Sequence, residues 1–198
     1  MSTTIGQILD RAFGHPRGLL GRLGGAVMAQ SNGATEQHVV DVARLTPDEA
    51  VLVVGPGPGV GLRAAAEHAA VVHGVDPSAE MLALARERCA AEVESGRVRL
   101  SEGSAERTGL GDASVDVVLS VNNVHLWEDR AAGFVELRRV LRPGGRLVLS
   151  AHEKSLPVAR HQVAAELGEA GFTDLQTWVW QPPGVTAPLA AQVRALRP

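Results

Sequence analysis

The chain has 198 residues, 45% hydrophobic and 21% charged, with a formal net charge of −3. That length suits one domain with a substantial core and leaves no room for a second, substrate-binding domain beside a nucleotide fold, while its scattered basic residues give no footprint for nucleic acid. The start lacks a basic stretch leading into an apolar run, and its most apolar patch, LLGRLGGAVMA, is broken by Arg22 and three glycines, so membrane insertion and secretion are not indicated and the cytoplasm is the expected location.

In chain order, the first 33 residues are Gly-rich, with FGHPRG and QSNG as turns around a short helix near 18–30. An amphipathic helix follows in ATEQHVVDVARL, with Val39, Val42 and Leu45 at helical spacing and Pro47 marking its end. Residues 1–45 are expected to form a helical flap over the site, and 46–198 an α/β core. Apolar strands are expected at about 50–54, 71–75, 97–101, 115–121 and 145–150, separated by helices or loops, a pattern that demands a largely parallel, doubly covered sheet. A helix near 160–170 stopped by Gly171 leads into FTDLQTWVW and a last strand near 187–195, an antiparallel hairpin edge. The expectation is a single-domain, doubly wound, mostly parallel seven-stranded sheet with an antiparallel C-terminal strand. Trp178 and Trp180, two apart on one strand, share a face and are expected in the core. The lone Cys89, in an alanine-rich helix, is a small apolar filler that can build no disulfide or thiol-rich metal site.

The stretch VLVVGPGPGVGL, residues 51–62, drives a buried strand into a turn made almost wholly of Gly and Pro. Gly55, Gly57 and Gly59 let the backbone curl and approach a ligand that a Cβ would repel. The spacing is GxGxG, and neither register meets the GxGxxG of a dinucleotide fingerprint, which argues against a nicotinamide enzyme. Asp76, 21 residues after Gly55, ends the apolar run AAVVHGVD, where a second parallel strand delivers a carboxylate able to accept from two sugar hydroxyls. Asp76 equally serves as an acidic cap for the helix that Pro77 and Ser78 open. Ligands of such sheets bind beyond the carboxyl ends of the strands, so GSAER (103–107), SVNNVHLW (120–127) and Ser150 to His152 belong to the same rim.

With these motifs in place, the chain resembles a class I S-adenosylmethionine-dependent methyltransferase, similar to the small ubiquinone and menaquinone biosynthesis methyltransferases, over about residues 38–175. The resemblance is carried by the glycine turn, Asp76 and GSAERTGLGDASVDVVLSVNNVHLWEDRAAGFVELRRVLRPGGRLVLS, with RVLRPGG particularly typical. It implies S-adenosylmethionine as cofactor. Gly55, Gly57 and Gly59 would pass under its methionine portion, Asp76 with the adjoining Pro77 would hold the ribose, Met81 would pack near the adenine, and Ser104, Ala105 and Glu106 would border the adenine edge. Asn122 and His125 would face the methyl group or the acceptor. Two positions depart from the family pattern: Val53 stands where an acid usually helps anchor the charged methionine end, and Ser104 where Asp commonly meets the adenine amino group.

The implied reaction is in-line displacement at the sulfonium methyl, in which the protein mainly positions. For a hydroxyl acceptor His125 is the candidate base, since imidazole titrates near neutrality, with His152 a weaker second. A small or flat organic acceptor is expected, with no metal, no nucleic acid and no membrane as partner. Val53 and Ser104 motivate the alternative, a non-catalytic ligand-binding or assembly protein that keeps the fold.

Overall fold

Continuous apolar runs become strands here because both faces of the sheet are covered. The computed structural model describes residues 32–184 and 187–198; the helix expected near 18–30 lies outside them. A helix over 32–43 (α1) precedes β1 (Ala50–Val54), α2 (Val60–Ala66), β2 (Val71–Asp76), α3 (Ala79–Arg88), α4 (Ala90–Glu94), β3 (Val98–Glu102), β4 (Val115–Val121), α5 (Arg130–Val140), β5 (Leu141–His152), α6 (Arg160–Glu169), β6 (Thr173–Trp180) and β7 (Ala190–Leu196). The sheet runs β3-β2-β1-β4-β5-β7-β6. β1 to β5 are parallel, and β7 lies antiparallel between β5 and the edge strand β6. This is the doubly wound, mostly parallel architecture expected from the sequence.

All five residues of β1 are buried. Successive side chains alternate, so Val51 and Val53 join a cluster with Val39, Val40 and Ala43 of α1, Leu62 of α2 and Ala85 of α3, whereas Leu52 and Val54 join Phe134, Leu137 and Val140 of α5 and Val163 and Leu167 of α6. The result is one helical layer on each face. On α1 the deeply buried apolar residues are Val39, Val40 and Ala43; Val42 and Leu45, expected on the inner stripe, sit at its margin. The chain builds outward from β1 to β3 and then returns to place β4 on the other side of β1. Strand order reverses between β1 and β4, so the crevice for a ligand opens at their carboxyl ends.

Three expectations are adjusted. The helix that Pro77 and Ser78 open is two helices, α3 and α4, divided at Cys89, which is fully buried and points its thiol at the carbonyl of Gly59, 3.7 Å away. Burial pushes that thiol up to about 11, so it packs rather than reacts. β5 begins at Leu141 rather than 145: Leu141 pairs with Val115 and Arg146 with Val117, and the intervening RPGG bulges, with Gly144 at φ +80°. Trp178 and Trp180 are half-buried rather than core, because β6 is the edge strand; Trp180 stacks on His38 of α1 at 3.9 Å between ring centroids. Among the described residues no helix is long and apolar enough to cross a membrane.

Candidate cofactor site

The glycine turn between β1 and α2 has three glycines at positive φ, two of them closed by packing and one open. A Cβ on Gly55 would lie 2.6 Å from the Asn123 side chain, and one on Gly59 3.0 Å from the backbone of Ala85, so these two positions are closed by packing. Gly57, at φ +51°, has nothing within 4 Å of its Cβ direction: it faces open space. That space is a cavity of about 560 Å³ beyond the carboxyl ends of β1, β2 and β4.

Gly55, Gly57, Asp76, Pro77, Met81, Ser104, Ala105, Glu106 and Asn122, all expected at the site, line this one cavity; Gly59 and His125 do not. Asp76 ends β2 only 6% exposed. Its Oδ2 accepts from the Gly57 N–H at 3.3 Å and its Oδ1 from the Ser78 N–H at 2.9 Å, while Ser78 in turn caps α3 by accepting from the Met81 N–H. The carboxylate therefore fixes the turn and the helix start at once, and each oxygen keeps a second lone pair. Burial raises its pKa from the ordinary value, opposed by the Ser78 and Gly57 N–H groups. Ser104 and Arg107 bond each other's backbone in a tight turn at the mouth, and Glu106 accepts from the Asp129 N–H at 3.2 Å.

Asn122 adopts φ +54°, a conformation that Asn tolerates better than most residues. Its Oδ1 accepts from the His152 N–H at 2.8 Å, which orients the amide so that Nδ2 donates to His152 Nε2 at 3.2 Å. Nε2 is then the bare nitrogen of His152, and Nδ1 carries the proton. His125 stands on the 3-10 turn Val124–Leu126, largely exposed. Such burial as its imidazole has, then the neighbouring His152, lower its pKa; burial alone lowers that of His152, so both rings are neutral at pH 7.

Sequence reasoning missed Asn123. Its Oδ1 accepts from Ser120 Oγ at 2.7 Å and Trp127 Nε1 at 3.0 Å, and its Nδ2 donates to Val54 O at 2.6 Å and Val121 O at 3.3 Å. One amide thereby ties the ends of β1 and β4 to the wall residue Trp127, whose ring meets Phe134 edge-on. Only the adjacent pair Asn122-Asn123 hinted at it. Asn123→Ala should lower stability by about 1 to 2 kcal/mol, since it strands Val54 O and Trp127 Nε1 in a partly buried setting. Urea unfolding checks this; a midpoint equal to wild type would show the ties to be idle.

The acid count was also missed. Asp76, Glu102, Glu106 and Glu128 line the cavity against Arg107. A pyrophosphate is repelled by such a lining, whereas a cationic sulfonium is attracted, and Met81, Ala105, Leu126 and Trp127 supply apolar walls for a base. The residues present thus fit S-adenosylmethionine. Among the described residues no group of three His, Cys, Asp or Glu side chains could hold a metal ion.

Comparison with known proteins agrees with this chemistry. Residues 52–149 match the family described as methyltransferase domain. The chain is 32% identical over 163 residues to YdaC, an uncharacterized methyltransferase of Bacillus subtilis, covering 77% of this chain and 87% of that protein. It is 36% identical over 124 residues to a demethylmenaquinone methyltransferase of Deinococcus radiodurans, 63% of this chain but only 46% of that protein, so it spans about half the length of such quinone-pathway relatives. A solved S-adenosylmethionine-dependent methyltransferase of Aquifex aeolicus shares the fold at a TM-score of 0.71 and 18% identity, covering 86% of this chain and 93% of that one. Sheet order, acidic cavity and sequence kinship place this chain in the class I S-adenosylmethionine-dependent methyltransferases.

Proposed function

We propose that the cavity holds the cofactor as its lining suggests, and that the methyl group passes in line to a small organic acceptor without a metal. The observation carrying this is the conjunction of Gly57, open to the cavity, with the buried carboxylate of Asp76 across from it. Asp76 receives the ribose hydroxyls; Met81 and Ala105 enclose the base; Ser104 and Glu106 border it. The cofactor supplies an activated methyl, so the chain's own work is to bind, orient and exclude water. A lone pair of the acceptor forms the new bond as the carbon–sulfur bond breaks, and its electrons neutralise the sulfonium. Where the acceptor is a hydroxyl, its proton goes to a base, for which the neutral His125 is suited; Asn122, held by His152, orients the acceptor side of the pocket. The short connection from β5 to α6 carries only the 3-10 turn Glu153–Ser155, too little for an inserted substrate domain, which supports a small acceptor.

Incubation with methyl-labelled S-adenosylmethionine and a fractionated extract tests the reading: label should enter the small-molecule fraction, and label confined to protein or nucleic acid would refute it. A chelator should leave the turnover unaltered; activity lost on chelation and restored by magnesium would overturn the metal-free step.

A further inference from the structure

The acid that the family pattern expects at β1 is absent, and Val53 in its place is buried among apolar side chains. A carboxylate nevertheless reaches that end of the sheet from another element. α1 runs opposite to β1: its C-terminal Ala43 O accepts from Arg146 Nε near the start of the strands, while its first turns reach the glycine turn, with Gly33 against Val60 and the Glu36 carboxylate accepting from the Gly61 N–H. Glu36 shares its helix face with Val40 and Ala43, which pack in the cluster that contains Val53. Among the described residues no cation forms a salt bridge with it. Burial pushes its carboxyl up to about 7 against the lowering by the Gly61 N–H and by Arg88, whose own Nε is held by Pro58 O.

A second observation is independent of Glu36. Asn32 lies one helical turn earlier on the same face, is 8% exposed, and its Oδ1 has no hydrogen-bond partner among the described residues. A buried unmatched acceptor is unfavourable until a donor arrives. Two acceptors on one face of α1, one a carboxyl balanced between its neutral and charged forms near pH 7 and one orphaned, call for a ligand group with several N–H donors and a positive charge. An alkylammonium has both properties.

We propose that the Asn32–Glu36 face of α1, standing behind the glycine turn rather than in the cavity lining, takes over the task of the missing strand acid toward the ammonium of the cofactor's methionine end. Glu36 is a positioning residue: it braces the start of α2 through Gly61 and sets a negative field beside the glycine turn. The inference rests on the reading of the cavity as the cofactor pocket.

Glu36→Gln keeps the size and the acceptor for Gly61 but removes the charge, so a merely structural role survives it. Calorimetric titration with two probes separates the roles. S-adenosylhomocysteine carries the ammonium; 5′-methylthioadenosine lacks the whole amino-acid end. In Glu36→Gln the affinity for S-adenosylhomocysteine should fall about tenfold, the lower range for a charge-assisted bond, while that for methylthioadenosine stays within twofold. Glu36→Asp, which retains the charge, should keep most of the preference between the probes. Equal losses for both probes, equal losses in Glu36→Asp and Glu36→Gln, or no loss for S-adenosylhomocysteine would each overturn the proposal. Asp76→Ala serves as the control, weakening both probes; if it weakens neither, the pocket reading itself fails, independently of Glu36.

Discussion

Asp76→Ala should weaken binding of S-adenosylhomocysteine about a hundredfold while the protein stays folded. Two charge-assisted bonds to the ribose, each contributing at least about 1.5 kcal/mol, sum to about 3 kcal/mol, which is two decades in affinity. The substitution also removes the partner of the Gly57 and Ser78 N–H groups, so the turn beneath the cofactor loosens as well. Its effect on the empty protein is smaller, because the buried carboxyl is already held above its ordinary pKa and its removal relieves a desolvation cost that offsets the lost backbone bonds. Far-UV circular dichroism should match wild type, with the melting temperature moved by only a few degrees, roughly 1 kcal/mol for a domain of this size. An affinity within twofold of wild type would remove Asp76 from the site.

The second large effect is at Gly57, and its meaning comes from contrast with Gly59. A valine at 57 projects its branches into the cavity and must hold φ +51°, costing about 1 to 2 kcal/mol in backbone strain. Cofactor binding should vanish from the measurable range, with a modest loss of stability. Gly59→Ala inverts the pattern, since its Cβ would press on Ala85 of α3 rather than on a ligand. Its loss should appear mainly in the melting curve, with binding reduced only as far as α3 is displaced. Titration and melting of both variants check this; Gly57→Val binding the cofactor normally would mean that the cofactor does not cross the turn there.

The parts of the molecule that were legible in the sequence are those whose signal is local. The strand at 50–54 is buried on both faces and appears as an unbroken apolar run, that at 115–121 is interrupted only by Asp116 and Ser120, and Asp76 announces itself by ending β2. Gly171, at φ +90°, stops α6 where its position said it would. What escaped depends on partners distant in the chain. Asn123 bonds to Val54, 69 residues away, and Glu36 to Gly61, 25 away, and neither residue differs locally from a solvated polar side chain. Trp178 and Trp180 misled because alternation tells which side chains share a face but not whether anything covers it; at the edge strand β6 the cover is partial. The extended start of β5 was hidden for the reverse reason, since RPGG carries turn residues yet its flanks remain in register with β4 around a bulge. His125 followed from the family pattern, and the structure sets it on the 3-10 turn beside the cavity rather than in its lining.

The central claim is that one acidic, glycine-floored cavity holds the cofactor, and a crystal structure of the protein with S-adenosylhomocysteine tests it most directly. The account predicts the ribose hydroxyls on the Asp76 carboxylate, the base between Met81 and Ala105, and the amino-acid end crossing Gly57 toward α1. A ligand seated instead in the groove beside Trp178, Arg146 and Arg194, at the opposite end of the sheet, would contradict it.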